Sequence, residues 1–237
     1  MHGYHKYIYR KFRWEGLIEI IKLIVTFDRE VYSIAGFSIA VSLISLIISV
    51  FISVILVLFI RRYKSLTRIF SFISSSLIAM PTVVVGLSVY SLISRSGPFG
   101  FTGLLFTPGA IIIGQVVLCV PIISTTLLSG ISVIPKEFYE TLKTFNIGRI
   151  RSLVLLFLEL REIFISSMLT GFGRIFGEVG VSMMLGGNIR YYTRTITTAI
   201  ALETGKGELH FAFALGVILL TISLFVNWVS RGIGGKL

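Results

Sequence analysis

Residues 34–60 read IAGFSIAVSLISLIISVFISVILVLFI, without one charged side chain. About 20 apolar residues in a helix cross the roughly 30 Å hydrocarbon core of a bilayer, so this run is long enough for a tilted crossing. Ser38, Ser42, Ser45, Ser49 and Ser53 fall on one helical face. Such a stripe suits helix–helix packing in lipid, where small residues let backbones approach closely. Asp28, with Glu30 in the following turn, predicts the cap that opens this helix. Arg61, Arg62, Lys64 and Arg68 follow it and mark its far end as cytoplasmic.

Four more apolar runs follow, at about 69–94 with Pro81 inside, 108–133 with Pro121 inside, 153–185, and 209–229. Proline is tolerated in a span where neighbours satisfy the carbonyl it frees. The run at 153–185 is long and unusually polar. The fold class predicted is an all-α integral membrane protein with five spans. Composition agrees: of 237 residues 54% are hydrophobic and 14% charged, against about 25% charged in soluble domains, and the mean hydropathy is +0.92. The net charge of +11 would suggest nucleic acid in a soluble protein. Here the basic residues sit mainly in short segments between apolar runs, as cytoplasmic loops facing anionic lipid do, so no nucleic-acid partner is expected. The only cysteine, Cys119, lies inside an apolar run, so no internal disulfide is possible.

Residues 1–13 are basic and aromatic, with Arg10, Lys11 and Arg13 beside Tyr4, Tyr7 and Tyr9. Trp14 to Phe27 reads as an amphipathic helix with Glu15, Glu19, Lys22 and Thr26 on its polar stripe. It is too short and too charged to span, and is expected to lie in the membrane interface. The chain thus divides into a tail and interfacial helix, 1–30, and a transmembrane domain, 31–237. No short apolar stretch with a small-residue cleavage site precedes the first span, so no cleaved signal peptide is expected. Five spans with 61–68 and 135–151 inside place the N-terminus outside. The basic tail would prefer the cytoplasm, but the remaining loops agree with one another and set the orientation.

Between the third and fourth runs stands PKEFYETLKTFNIGRIRSLVLLFLEL, residues 135–160. Proline opens the helix and acidic residues fill its first turn. Phe138, Leu142 and Phe145 share one face at i, i+4 and i+7. A cytoplasmic amphipathic helix either rests on the lipid surface or fits a groove on a soluble partner. The segment resembles the EAA loop of ABC-importer permeases, a Glu-Ala-Ala followed by a glycine and later an Ile-x-Leu-Pro. Glu140 stands at the glutamate, Thr141 and Leu142 at the alanines, and Asn146 at the glycine, with Gly148 two residues later. Leu156 and Leu158 fill the apolar positions, and Glu159 replaces the proline.

Two further stretches are similar to the molybdate, tungstate and sulfate permeases. MPTVVVGLSVYSLISRSGPFG, 80–100, resembles their Pro-Pro-Val-Val-x-Gly-Leu segment, with Met80 for the first proline. GRIFGEVGVSMMLGGNIRYYTRT, 173–195, resembles their Gly-Arg-x-x-Gly-Glu-x-Gly, Gly-Asn-Ile and Thr-Arg-Thr. TTAIALETGKGELHFAFALG, 197–216, looks most like the tungstate branch. The resemblance implies a type I ABC-importer permease in the plasma membrane of a prokaryote. It implies a homodimer with two ABC ATPase subunits, which carry ATP and Mg, docked under residues 135–151, and an extracytoplasmic oxyanion-binding protein. No cofactor or metal is expected on this chain, and no catalysis. The resemblance puts ATPase coupling at Glu137, Phe138, Glu140, Thr141, Leu142, Phe145, Asn146 and Gly148. Candidates for the path or gate are Pro81, Gly86, Arg174, Glu178, Asn188, Thr193, Arg194 and Thr195. The expected cargo is tungstate, with molybdate or sulfate as the alternative tetrahedral dianions.

Arg174 and Glu178 lie at i, i+4 in the fourth run. Each alone costs at least about 2.5 kcal/mol at a helix centre in lipid, so they should pair and face protein or water. Two readings stay open: an ion pair that only orients the helix, and an arginine near the path of a dianion restrained by its glutamate. Gly173 and Gly177 form GxxxG, suited to close approach of another helix or of a second copy. Asn188, Arg190, Thr193, Arg194, Thr195 and Lys206 follow in an external loop. They either guide an oxyanion, dock a binding protein, or are solvated. His2, His5 and His210 lack metal-ligand spacing. The sequence has no GxxxxGK[ST], so ATP would need a separate subunit, and no HExxH or GxSxG supports a hydrolase. A secondary transporter would use Glu178 as an ion relay but has no use for an EAA-like loop.

Overall fold

The computed structural model describes residues 15–26 and 28–234. The tail 1–13, Trp14, Phe27 and the side chains of Glu15 and Glu19 lie outside the described residues. Eleven α-helices and one 3₁₀ turn make up the described chain. They are α1 (Glu15–Val25), α2 (Arg29–Ile60), α3 (Lys64–Ala79), α4 (Thr82–Ile93), the 3₁₀ turn (Gly100–Thr102) and α5 (Pro108–Val133). After these come α6 (Lys136–Thr144), α7 (Arg149–Glu159), α8 (Arg161–Phe176), α9 (Gly180–Gly186), α10 (Ile196–Lys206) and α11 (Leu209–Gly234).

Asp28 opens α2 as the sequence predicts: its Oδ1 accepts the N–H of Glu30 at 3.0 Å and of Val31 at 3.1 Å. All five serines of the stripe are buried, while Ile47, Phe51, Ile55 and Phe59 on the opposite side are exposed. The stripe packs on α5, the central helix, which also touches α3, α4, α8 and α9. Ser53 donates to the carbonyl of Val120 at 3.3 Å, next to Pro121, and α5 runs through that proline unbroken. Glycine sets the closest approach: a Cβ on Gly114 would stand 2.3 Å from Val181 Cγ1, and one on Gly186 2.6 Å from Ile111 Cδ1. Hence α9 lies almost directly on α5. Helix α1 packs on α11 with Ile20 buried, and Ile21 and Val25 stay exposed, an apolar edge suited to the interface.

Among the described residues three helices are long and apolar enough to cross a membrane: α2, α5, and α11 over Leu209–Val229. The pair α3–α4 makes a fourth if counted together. Two expected spans are not single helices. The run 69–94 is bent by 106° between α3 and α4. Pro81 has no N–H to continue a helix and forces its predecessor out of the α region, and Met80 accordingly sits at φ −70°, ψ 138°. The run 153–185 is broken twice, at Leu160 between α7 and α8 and at Gly177–Val179 between α8 and α9. The loop expected at 186–207 contains a helix, α10, which begins in a reciprocal Thr195–Thr198 capping box.

Candidate functional site

At the Lys136 end of the molecule, α6 stands clear of the bundle, with no buried residue. Its start fits the sequence: Pro135 precedes it and Glu137 lies in its first turn, while Lys143 lies in the last. Phe138 and Leu142 are half-buried and Phe145 is 73% exposed. Glu140 and Thr141 are exposed, and among the described residues Glu140 makes no ion pair. Asn146 adopts φ 48°. Its N–H donates to Lys143 O at 3.0 Å, and the next N–H, of Ile147, to Leu142 O at 3.0 Å. These are the two bonds of a Schellman turn, whose left-handed residue is usually glycine and sometimes asparagine. Asn146, at the position where the resembled loop has glycine, thus holds a conformation that glycine adopts readily. Gly148 then caps α7, and Ile150 is exposed beside it.

The break at Gly177–Val179 is built around Glu178. Its Oε2 takes a hydrogen bond from Arg174 Nη1 at 2.7 Å, and its Oε1 accepts the Val181 N–H at 3.2 Å, satisfying the start of α9. Its backbone carbonyl accepts the Thr197 hydroxyl at 2.8 Å. The Glu178 side chain is 3% exposed and that of Arg174 37%. The carboxylate is thus fully used, and the arginine keeps a free edge. The Pro81–Gly86 segment comes to the same place. A Cβ on Gly180 would meet Val83 Cγ2 at 3.0 Å and Thr82 Oγ1 at 3.2 Å, and one on Gly86 would meet Val181 Cα at 3.3 Å. Among the described residues a Cβ on Gly173 meets nothing within 4 Å, and one on Gly177 only the Gly173 carbonyl, so neither is a close-approach point within this chain's described helices. Beside Gly173 lies a hollow of about 230 Å³ between α8 and α11, lined by Thr170, Phe172, Phe176, Ser223 and Asn227 among others.

At the opposite end of α5, the residues expected on an external loop divide in two. Asn188, Thr193 and Thr195 form a buried or half-buried frame. Thr193 donates to Gly186 O and accepts the Ile189 N–H, while Asn188 donates to Thr198 O at 3.3 Å and accepts the Thr198 hydroxyl at 2.9 Å. Ile196 N–H donates to Ser38 Oγ at 2.8 Å, fastening the start of α10 to the first long helix. These threonines hold the backbone and are not a solvated surface, because each hydroxyl is committed locally. Arg194 is also enclosed, its side chain 10% exposed, with Nη1 3.5 Å from Glu30 Oε1 and 3.6 Å from Glu203 Oε1. Arg190 reaches outward and pairs through two nitrogens with both oxygens of Glu30. That hydrogen bond and charge hold its guanidinium above its ordinary range, so it stays cationic. Glu203 also takes Lys206 at 3.0 Å. A hollow of about 310 Å³ lies among Glu30, Arg190, Arg194, Glu203, Lys206 and Glu208.

Sequence reasoning missed Glu203, and took Glu30 only as a first-turn acid. The i, i+3 spacing of Glu203 and Lys206 was visible; the pairing of Glu30 across the molecule was not. Gln115 was also missed: it is buried in α5 and donates to the Ile175 carbonyl at 3.4 Å. Among the described residues no group of His, Cys, Asp or Glu could hold a metal ion.

Residues 49–236 match the family described as "Binding-protein-dependent transport system inner membrane component". The chain is 42% identical over 166 residues, 70% of each chain, to the "Tungstate uptake system permease protein TupB" of Campylobacter jejuni. It is 38% identical over 217 residues to the protein of that name from Peptoclostridium acidaminophilum, covering 91% of this chain and 95% of that one. A "Probable anion ABC transporter permease protein" of Haloferax volcanii is 37% identical over 174 residues, 70% of this chain and 74% of that one.

Proposed function

The chain belongs to the inner membrane components of binding-protein-dependent transport systems, and on that premise we propose that it is the permease through which an ATP-driven importer takes up tungstate. As a permease subunit of an ABC importer it is not itself catalytic. The observation that carries the substrate is the likeness to two tungstate uptake permeases, one of them along nearly the whole chain.

Two copies enclose one path, each crossing five times if α3–α4 and α8–α9 count as one pass each. The edge of α8 where Thr170, Gly173 and Gly177 are exposed, with the half-buried Arg174 among them, supports this pairing. Such groups at membrane depth need protein or water opposite them. In this reading Arg174 meets the dianion, and Glu178 holds the arginine in place while capping α9. Pro81 and Gly86 shape the wall that packs on that break. Asn188, Thr193, Arg194 and Thr195 frame the outer end of the path.

The α6 turn, with Glu137, Phe138, Glu140, Thr141, Leu142, Phe145, Asn146 and Gly148, docks in a groove of a separate ATPase subunit that binds ATP and Mg. An exposed phenylalanine on a short, protruding, capped helix supports a soluble partner, since a groove buries it. An extracytoplasmic protein delivers the oxyanion at the other end. The test is ATPase activity of the complex in nanodiscs, with its binding protein, titrated with tungstate, molybdate and sulfate. Stimulation by tungstate at the lowest concentration is expected. Stimulation led by molybdate or sulfate moves the cargo, and no assembly with an ATPase subunit removes the reading.

A further inference from the structure

The outer loop after α9 presents a rigid aromatic and cationic tip that the path does not use. Three successive N–H groups, of Tyr192, Thr193 and Arg194, donate to the single carbonyl of Ile189, at 3.1, 2.9 and 3.1 Å. Thr193 and Asn188 clamp the base of this turn to Gly186 and Thr198. On this frame Tyr191 is 66% exposed, and Ile189 and Tyr192 are exposed beside it. The guanidinium of Arg190 lies over the Tyr191 ring, 5.0 Å from its centroid, and Glu30 holds it from the other side. Phe106 joins the patch: its N–H donates to Leu185 O at 2.8 Å, its ring packs on Gly187, and it is exposed.

Tyr191 and Phe106 both hold left-handed backbone, at φ 60° and 62°. Residues with a β-carbon pay about 1–2 kcal/mol for that conformation, and a folded chain that keeps such residues at both positions is fixing their direction. Tyrosine and arginine on a pre-ordered frame lose little entropy on binding and dominate protein interfaces. Resting on the importer reading above, we propose that residues 106 and 189–192 form the surface on which the extracytoplasmic binding protein docks. The partner face is an apolar pocket that takes the Tyr191 ring; Arg190, already paired with Glu30, holds that ring in place from below. The family depends on a binding protein, and in the importer reading this is the end that faces it. The competing occupant is the lipid headgroup region, where tyrosines also gather.

The experiment measures affinity of the cognate purified binding protein for the nanodisc-embedded permease–ATPase complex, for wild type, Tyr191→Ser and Tyr191→Trp. Tyr191→Ser is expected to weaken binding ten-fold or more, with unchanged melting temperature and ATPase-subunit assembly, while Tyr191→Trp binds within about three-fold of wild type. Tyr191→Ser affinity within two-fold of wild type overturns the proposal and leaves the importer reading standing. Brominated lipids are expected to quench Tyr191→Trp no more than the wild-type background from Trp14 and Trp228. Extra quenching puts the tip in lipid and overturns it. A binding protein with no affinity for the wild-type complex removes both.

Discussion

The backbone N–H of Ile147 donates to the carbonyl of Leu142 at 3.0 Å, closing α6 across Asn146 at φ 48°. The direction of the exposed Phe145 and of the chain entering α7 both depend on that left-handed residue. Asn146→Gly should therefore keep coupled transport. Asn146→Val, with a branched β-carbon at the same φ, should cost about 1–2 kcal/mol in this turn and lower substrate-stimulated ATPase activity. Stimulated activity of both variants against wild type checks this.

Glu140 is exposed on α6 and has no ion-pair partner within the described chain. Glu140→Arg should abolish transport while leaving folding and dimerisation intact, as gel filtration and thermal unfolding would report. Wild-type coupling in this variant would remove α6 as the docking helix.

Removing Glu178 takes a partner from Arg174 and a cap from α9 at once. Glu178→Ala should destabilise the permease by about 2–3 kcal/mol, the scale of an unpaired charge in a membrane. The double variant Arg174→Met, Glu178→Gln removes both charges and should recover most of that stability, because no lone charge is left. Its transport should be lost, since the arginine proposed to meet the dianion is gone. Thermal unfolding paired with uptake separates the two effects: recovery of both would make the pair purely structural.

The two kinds of glycine predict opposite failures. Gly114→Leu drives a side chain into Val181 and Leu185 and should cost about 1–3 kcal/mol or more through overpacking. A Cβ on Gly173 meets no described atom within 4 Å and borders an open hollow, so Gly173→Leu should let each copy fold while the dimer weakens. Mass measurement of the purified permease in detergent, set beside its melting temperature, checks both.

The first long helix was legible in full, because its serine stripe, apolar flank and Asp28 cap are all local patterns. The breaks in the second and fourth runs were not. Hydropathy averages over Met80–Pro81 and over Gly177–Val179, and it cannot tell a proline that a helix absorbs, such as Pro121, from one that ends it. Pro121 lies within a helix packed on several others, whereas Pro81 starts a new helix against α9. The i, i+4 pairing of Arg174 with Glu178 was readable from spacing, but the glutamate's second oxygen on the Val181 N–H belongs to a turn that spacing does not reveal. In the outer loop the threonines looked like surface hydroxyls. The capping box at Thr195 uses threonine at its far position instead of the usual acidic or amide residue, so it left no clear signal. Asn146 is the reverse case: an apparent departure from the resembled motif holds a left-handed backbone that glycine also adopts readily.

The most direct test of the central claim is tungsten accumulation in proteoliposomes carrying the permease, its ATPase and its binding protein, measured by elemental mass spectrometry with and without ATP. Accumulation from tungstate that requires both ATP and the binding protein, and that outruns uptake from equal molybdate or sulfate, is the predicted result. Accumulation that proceeds without ATP, or none at all with the complex assembled, would contradict the account.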